Sequence, residues 1–151
     1  MKKLTHVDQQ GKARMVDVSA KPVQLREAVA SGAIFLQRKT LALIAANHIA
    51  KGDVLSTARL AGIQAAKRTS ELIPLCHPLN LSYIDVDLRP KRDRIEITAT
   101  AKIAAQTGVE MEALTAVAVT ALTIYDMCKA VDKEMVIGEI KLVSKKKTGA
   151  R

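Results

Sequence analysis

Polar and apolar residues repeat along this chain with two different periods, and the switches between them predict the order of its elements. Alternation with a period of two predicts strands at residues 28–37, 79–88, 94–103 and 135–144. Helical spacing predicts helices at residues 38–47, from 53 to about 69, and from 110 onwards. Asp53 stands where it can cap the second helix after a tight turn at Gly52, and Ser31-Gly32 indicates a bulge in the first strand.

The third helix is the most informative segment, within EMEALTAVAVTALTIYDMCKAVDK at residues 110–133. From residue 113 to residue 125 it is apolar on nearly every side, and then Asp126 and Lys129 interrupt it one helical turn apart. A helix that is apolar all round is buried, and a buried ionisable pair costs free energy. The pair is therefore either a structural salt bridge or part of a site.

The predicted order of elements favours one fold. When the first two helices are counted as one crossover, the order is βαββαβ, which is the α+β, ferredoxin-like arrangement of an antiparallel sheet with helices on one face. Small residues on the second helix suit tight packing against that sheet; they are Ala58, Ala61, Gly62, Ala65 and Ala66. The third helix has more apolar surface than one sheet covers, so we expect an oligomer.

One domain is expected over residues 1–151, with a loosely packed N-terminal arm at 1–20 and a basic tail at 145–151. Hydrophobic residues make up 48% and charged residues 26%, as in a soluble globular protein. No apolar run was found to approach the about 20 residues of a membrane helix, so no membrane partner is expected. The first residues lack the apolar segment of a secretory signal, and Cys76 and Cys128 are too few for a disulfide framework. We therefore expect a cytoplasmic protein with reduced thiols.

The net charge of +9 is concentrated in two segments. Residues 89–94 carry four bases and one acid, and residues 145–151 carry four bases, so together they hold seven of the nine charges. A non-catalytic module that binds nucleic acid through this turn and tail is the alternative to an enzyme. Aromatic residues are only 2%, which removes the stacking surface that single-strand binders use. We expect no nucleic-acid partner.

Three further groups of residues are candidates for chemistry. Asp126 and Lys129, at i and i+3, form a helix-end salt bridge or a general acid/base pair in which a desolvated lysine loses basicity. Lys51, beside the start of a helix, suits a phosphate, with Arg59, Lys67 and Arg68 to widen the anion site. The dipeptide Cys76-His77 invites a metal reading with His48 and Cys128, yet the spacing matches no zinc pattern, so no metal site is expected.

Glu112 and Asp126 are fourteen residues apart on the same predicted helix, which places them about 21 Å from each other. A small ligand does not touch both within one chain. If both serve one site, either the ligand is long or the two ends come from different subunits.

Several contiguous motifs resemble the MoaC family, the cyclic pyranopterin monophosphate synthases of molybdenum cofactor biosynthesis. They are MVDVSAK at 15–21, KGDV at 51–54, TARLAGIQAAKRT at 57–69, IPLCHPL at 73–79, TGVEMEALTA at 107–116 and LTIYDMCKA at 122–130. The similarity extends from about residue 4 to residue 143. The relatives often carry a glycine-rich C-terminal segment, where this chain has its short basic residues 145–151.

The resemblance implies a lyase that converts 3′,8-cyclo-7,8-dihydro-GTP, the product of an upstream radical SAM enzyme, into cyclic pyranopterin monophosphate and pyrophosphate. It also implies a ferredoxin-like fold and a hexamer, a trimer of dimers, with active sites at the dimer interface. By the same resemblance Asp126, Lys51 and Lys129 are catalytic, whereas the residues that bind substrate are Leu75, Cys76, His77, Met111 and Glu112.

This chemistry suits the residue types. Repeated proton transfers need groups such as lysine and aspartate, and a triphosphate needs cations. Our hypothesis from the sequence is that Asp126 positions the Lys129 ammonium while Lys51 works from the other side of the substrate. No cofactor is required, although Mg²⁺ is expected to accompany the departing pyrophosphate.

Overall fold

Four strands with one apolar face each assemble into a sheet that helices cover. The structure is a computed structural model that describes residues 6–149. In chain order its elements are β1 Gln24–Phe35, α1 Arg38–Ala45, α2 Val54–Lys67, α3 Thr69–Leu72, β2 Tyr83–Pro90, β3 Arg94–Ala105, α4 Glu110–Cys128 and β4 Val136–Gly149.

The strands pair in the order β2-β3-β1-β4, and every neighbouring pair is antiparallel. α1, α2 and α3 together form the first crossover and α4 forms the second, which confirms the predicted ferredoxin-like βαββαβ fold with helices on one face. Ile34 of β1 lies opposite Ile95 of β3, and both are fully buried in the core between sheet and helices. The oligomer expected with this fold stays a prediction.

The small residues of α2 make their tightest contact with α4. A Cβ on Gly62 would collide with the hydroxyl of Thr120 and lie 2.9 Å from the Ala116 carbonyl oxygen, so only glycine allows this approach of the two helices. We had expected these residues to allow close packing against the sheet. The difference arises because α4 covers the middle of the sheet, in contact with β1 and β3, and α2 packs beside it. Half of the β1 and β3 residues in the core are alanines, namely Ala28, Ala30, Ala99 and Ala101.

β4 is longer than predicted, and the prediction of a basic tail is wrong for residues 145–149. Lys145 lies opposite Ala28 and Gly149 lies opposite Gln24, so these residues continue the strand. β1 begins at Gln24 rather than at residue 28, and its free edge therefore offers hydrogen-bond partners to the lysines, whose long side chains reach solvent. Residues 150 and 151 lie outside the described residues.

The irregularity predicted at Ser31-Gly32 is present, but the extra residue belongs to β4. Between Ser31 and Ala33, one residue of β1 lies opposite two residues of β4. Glu139 in this bulge has a φ of 58°, in the left-handed region. Gly32 allows α4 to approach at this point, because a Cβ there would be 2.7 Å from Val117 Cγ1.

The N-terminal arm packs on its own chain over the residues that the structure describes. Residues 6–14, the N-terminal hairpin, contain a bridge between Val7 and Ala13 and a turn held by Asp8. Residues 15–21, which we call the strap, then reach His77, whose Nε2 is 2.7 Å from the Val16 carbonyl oxygen. The predicted loosely packed arm is therefore docked at the strap, and its residues 1–5 lie outside the described residues.

α4 is a core helix, although by length and composition it could cross a membrane. It has 19 residues, and its most apolar window has a mean hydropathy of 1.3. In the fold, 56% of that window is buried. We had found no apolar run close to this length in the sequence; four alanines and three threonines stand among the larger apolar residues of α4. Burial against the sheet and α2 accounts for the apolar residues on its covered side.

The basic turn at residues 89–94 has acidic neighbours. Arg89 Nε lies 2.7 Å from Asp87 Oδ2, and Arg94 Nε lies 3.5 Å from Glu96 Oε1. Two of its four basic side chains are thus paired within the chain, which weakens the alternative of a nucleic-acid surface at this turn.

Candidate active site

The predicted site residues form two clusters at opposite ends of α4. Lys51, Asp126 and Lys129 meet at its C-terminal end, where both lysines bond to the aspartate. The five predicted substrate-binding residues line one cavity at its N-terminal end. Since Glu112 and Asp126 are both on α4, the helix separates the two clusters by about 21 Å.

At the C-terminal end, Asp126 binds two lysines at once. Lys51 Nζ donates to Asp126 Oδ2 at 2.7 Å and to the Asp126 carbonyl oxygen at 3.2 Å, while Lys129 Nζ lies 3.0 Å from Asp126 Oδ1. Lys129 reaches the carboxylate because it follows one helical turn later. The two ammonium groups are therefore held side by side on one carboxylate.

The turn after Lys51 explains how it reaches α4. Gly52 has a φ of 100°, a conformation that glycine adopts without strain. Asp53 then caps α2, accepting a hydrogen bond from the Ser56 backbone N–H at 3.1 Å, as predicted. This cap satisfies a donor at the helix N-terminus with a carboxylate, so the phosphate site predicted there loses part of its basis.

Two further expectations for this cluster are wrong. The pair is not buried, since the side chains of Lys51, Asp126 and Lys129 are 50%, 54% and 58% exposed. Lys51 also bonds to the same carboxylate as Lys129, where we had expected Asp126 to hold Lys129 alone. Asp126 is exposed because it lies on the outer side of the last turn of α4, whose inner side carries the buried Met127 and Cys128.

Charge sets the protonation of Asp126. The hydrogen bond from Lys51, followed by the one from Lys129, holds the pKa of this carboxyl below its usual range, so it is ionised at neutral pH. Arg59, which we had assigned to a wider anion site, pairs instead with Asp85 and donates to the Val86 carbonyl oxygen at 3.1 Å. The cations that meet at this carboxylate are Lys51 and Lys129.

At the N-terminal end, a cavity of about 360 Å³ contains all five predicted substrate-binding residues. Pro74 and Leu75 form a turn that is closed by the Cys76 N–H donating to the Ile73 carbonyl oxygen at 3.1 Å, where the sequence had indicated an extended segment. The residues that follow lie against the first turn of α4. The cavity wall is made by Leu75, Cys76, His77, Met111 and Glu112, together with residues of the arm, namely His6, Val16, Val18 and Lys21.

Glu112 is the unusual group of this cavity. Its residue is only 4% exposed, and burial raises the pKa of its carboxyl to about 7, with the nearby Glu110 carboxylate adding to the shift. The hydrogen bond from its own backbone N–H opposes the shift without cancelling it. A carboxyl with such a pKa exchanges protons near neutrality, which is what general acid/base chemistry requires.

The surroundings of both thiols disfavour their ionised form. Burial, with the Glu112 charge, raises the pKa of Cys76, and burial with the Asp132 charge raises that of Cys128 to about 11. Both thiols therefore stay protonated at neutral pH. Among residues 6–149 no group of three His, Cys, Asp or Glu side chains is placed to hold a metal ion.

A second cavity, of about 210 Å³, lies beside the first and shares Gly108 and Glu110 with it. Its other polar walls are Arg26 and Glu27 of β1 and Lys145, Lys146 and Lys147 of β4. Four basic side chains thus converge next to the substrate-binding residues. The sequence did not predict this, because the lysines were assigned to a solvated tail.

Sequence reasoning also missed two structural contributions. The strap was part of a recognised motif, MVDVSAK, but was given no role. Asp132 was not singled out, yet it is 2% exposed and accepts hydrogen bonds from the Gln37 and Glu134 backbone N–H groups and from the Thr40 hydroxyl. It ties the loop after Lys129 to the start of α1. Its only signal in the sequence was a charged residue next to an apolar pattern.

Comparison with known proteins decides the family. The sequence model of the MoaC family matches residues 15–149, which include every residue of both clusters except His6. This chain belongs to the MoaC family.

Close relatives within the MoaC family cover almost the whole chain. The cyclic pyranopterin monophosphate synthase of Parvibaculum lavamentivorans is 59% identical over 99% of this chain and 94% of its own length. Cyclic pyranopterin monophosphate synthase 3 of Mycobacterium bovis is 62% identical over 94% of this chain and 81% of its own length. The synthase of a Roseiflexus species is 58% identical over 100% of this chain and 96% of its own length.

Proposed function

We propose that this chain is a cyclic pyranopterin monophosphate synthase of molybdenum cofactor biosynthesis. It is a lyase that converts 3′,8-cyclo-7,8-dihydro-GTP into cyclic pyranopterin monophosphate and releases pyrophosphate. The observation that carries the proposal is its identity of about 60% to synthases of that name over nearly its full length. The two clusters of proton-exchanging side chains on α4 support it, since ring opening and closure require repeated proton transfers.

Asp126, Lys51 and Lys129 form the catalytic cluster in this proposal. The ionised Asp126 holds two ammonium groups next to each other and fixes where each can meet the substrate. One lysine serves as acid and its neighbour as base in successive steps. Substrate binding removes water from these half-exposed side chains and strengthens their electrostatic interactions.

The cavity at the other end binds the substrate. Leu75 and Met111 supply apolar contact for a planar ring system, while Cys76, His77 and Glu112 supply polar groups. With its pKa of about 7, Glu112 is partly protonated at neutral pH and can donate a hydrogen bond to a ring nitrogen or oxygen. The adjacent basic cavity, with Arg26 and the lysines of β4, provides the cations that a triphosphate needs.

We infer that the two clusters meet between subunits. The outer face of α4 between them is apolar and exposed, with Met111, Leu122 and Tyr125 37%, 57% and 36% accessible in the single chain. A two-fold axis crossing α4 near Val119 lays a second copy antiparallel on this face and brings Glu112 of one copy beside Asp126 of the other. The separation then becomes the about 8–10 Å between packed helices, which one nucleotide can span.

Several finer features belong to the same proposal. A hexamer of three such dimers would complete the assembly, and the substrate would come from a radical SAM enzyme acting earlier in the pathway. The enzyme needs no resident metal, and Mg²⁺ binds with the pyrophosphate as it leaves. A cytoplasmic location is consistent with this biosynthetic role.

The direct test is turnover by the purified protein. It is incubated with 3′,8-cyclo-7,8-dihydro-GTP, and cyclic pyranopterin monophosphate and pyrophosphate are measured. We expect both products in equal amounts from the wild type and a large loss of both with Lys129→Ala. Lys91→Gln in the basic turn is the matched control and should leave turnover unchanged. An absence of product from the wild type would overturn the proposal.

A further inference from the structure

The strap makes one direct polar contact with the substrate cavity, and it is with His77. The carbonyl oxygen of Val16 lies 2.7 Å from His77 Nε2. A carbonyl group has no proton to give, so the imidazole must be the donor and Nε2 must carry the hydrogen. In the neutral ring, Nδ1 is then the nitrogen without a proton, able to accept one.

The strap is anchored on the far side of Val16. Asp17 Oδ1 accepts hydrogen bonds from Ser19 N at 2.9 Å and from Ser19 Oγ at 2.6 Å, which folds the segment into a local turn. The Ser19 carbonyl oxygen then accepts a hydrogen bond from Gln106 Nε2 at 3.2 Å. Gln106 belongs to the connection that leads into α4, so the strap joins the two segments that carry His77 and Glu112.

The boundary of the family match separates the strap from the residues before it. The MoaC model begins at residue 15, so the strap is inside the match and the N-terminal hairpin, residues 6–14, is outside it. The hairpin makes its described backbone hydrogen bonds within itself, for example Arg14 N to the His6 carbonyl oxygen at 3.0 Å. The strap can therefore be separated from the hairpin by experiment.

We propose that the strap is a positioning element for His77, in which the Val16 carbonyl accepts the Nε2 hydrogen and leaves Nδ1 as the nitrogen that exchanges a proton with the substrate. The hydrogen bond of one imidazole nitrogen decides which tautomer the ring adopts. Without the strap, the proton distributes over both nitrogens and the ring turns more freely. The exchange step rests on the proposed function, whereas the tautomer does not.

Other charged groups lie around the ring and act on it in either tautomer. Asp17 on the strap is close enough for His77 to influence its carboxylate. The remaining titratable groups of the cavity wall are His6, Lys21, Cys76, Glu110 and Glu112. For this reason the test compares tautomers and rates at one fixed pH and does not rely on a pH profile.

Two truncations form a matched pair for the test. Deleting residues 2–14 removes the N-terminal hairpin and keeps Val16, and deleting residues 2–18 removes Val16 as well. The nitrogen chemical shifts of the His77 ring report its tautomer by NMR without any substrate. We expect a protonated Nε2 and an unprotonated Nδ1 in the full chain and after the shorter deletion, and averaged signals from both nitrogens after the longer one.

Turnover supplies the second measurement. Because the shorter deletion also removes His6 of the cavity wall, the two deletions are compared with each other. We expect the longer one to have a kcat about tenfold or more below that of the shorter one, with a smaller difference in KM, because the His77 ring is then present in the wrong tautomer rather than missing. His77→Gln keeps a donor that can reach the Val16 carbonyl but has no second ring nitrogen, so it should lose activity while the strap stays docked. Its thermal unfolding midpoint should match that of the wild type.

A full-length variant keeps the proposal testable if the protein with the longer deletion does not fold. An ester in place of the amide between Val16 and Asp17 keeps every side chain and weakens the Val16 carbonyl as an acceptor. It should shift the tautomer populations in the same direction as the deletion. An Nδ1-protonated ring in the full chain, an unchanged tautomer in the ester variant, or equal losses of kcat in both deletions would overturn the proposal. If the tautomer is as expected but the wild type forms no product, the proposed function fails and the positioning role remains.

Discussion

The carboxyl groups at the two ends of α4 have pKa values that are shifted in opposite directions. At the C-terminal end Asp126 is half-exposed, and hydrogen bonds from Lys51 and Lys129 lower the pKa of its carboxyl. At the N-terminal end Glu112 is buried, and burial raises the pKa of its carboxyl to about 7. Two positions on one helix, about four turns apart, thus carry a permanent anion and a group that titrates near neutrality.

This difference in pKa suits the two ends of α4 to different chemical roles. A carboxylate that stays ionised can hold and orient two cations, whereas a carboxyl with a pKa near neutrality can give and take a proton. If the two ends meet between subunits as proposed, such a separation of pKa values between two carboxyls is typical of acid/base catalysis. The following changes test whether each end has the role that its surroundings assign to it, from the largest expected effect to the smallest.

Replacing Asp126 by asparagine should have the largest effect. The amide is isosteric but carries no charge, so it no longer holds Lys51 and Lys129 together, and we expect kcat to fall by about 10²–10⁴-fold. Thermal unfolding should change little, because exposed ion pairs contribute little to stability. Asp87→Asn, at an exposed pair outside the site, is the control. Full turnover by Asp126→Asn would remove this end from the mechanism.

Mixing two inactive variants tests whether the ends belong to one site. If Glu112 and Asp126 act from different copies, a dimer of one Glu112→Gln chain and one Asp126→Asn chain has one intact site and one doubly altered site. After unfolding and refolding a 1:1 mixture, random pairing should restore about a quarter of wild-type turnover. Each variant refolded alone is the control. If the mixture stays as inactive as its components, each site lies within one chain.

The buried carboxyl should make stability depend on pH. Because the pKa of Glu112 rises from 4.5 to about 7 on folding, the unfolded chain ionises first and stability falls as pH increases between these values. The loss is on the order of 3 kcal/mol above pH 7 and is absent below pH 4.5. Urea unfolding at pH 5 and pH 8 should show this loss in the wild type and not in Glu112→Gln.

The control for that comparison is Glu71→Gln, at an exposed position on α3. It should keep the wild-type difference between pH 5 and pH 8. If Glu112→Gln also keeps it, the buried carboxyl is not the group that couples stability to pH.

The smallest effect concerns Asp132, a second aspartate near the C-terminal end, which we assign a structural role. Thr40→Val removes a hydroxyl that donates to Asp132 Oδ2 at 2.8 Å, and the loss of a bond to a buried charge should cost about 2 kcal/mol. Turnover should change far less than with Asp126→Asn. The control is Thr123→Val, which removes a hydroxyl that donates to the Val119 carbonyl oxygen in its own helix. Equal stability of Thr40→Val and the wild type would contradict the assignment.

Local patterns predicted the elements well because each depends on neighbours in sequence. The period of two in the hairpin strands and the Asp53 cap of α2 are short-range properties, and the structure confirms both. β4 was predicted too short for the opposite reason. Lysine-rich residues 145–149 have little strand preference of their own and become a strand only because β1 offers a free edge.

The sequence predicted that Glu112 and Asp126 lie far apart on one helix, but it did not predict the electrostatic surroundings of either carboxyl. Lys129 was expected to bond to Asp126, since they are one helical turn apart. That Lys51 shares the same carboxylate was not expected, because 75 residues separate it from Asp126. The burial of Glu112 was likewise not predicted, because it depends on the segments that the fold packs over the first turn of α4.

The sequence by itself determined the family, the order of the elements and the residues at both ends of α4, because motifs and periodicities are properties of the chain. Only the tertiary structure decided that Asp126 is exposed and paired twice, that Glu112 is buried, and that the strap reaches His77. These facts depend on which distant segments cover each group, and burial and charge at a distance set protonation. The sequence predicted that α4 is a buried helix interrupted by one charged pair. In the structure α4 carries two carboxyl groups, Glu112 and Asp126, in different surroundings.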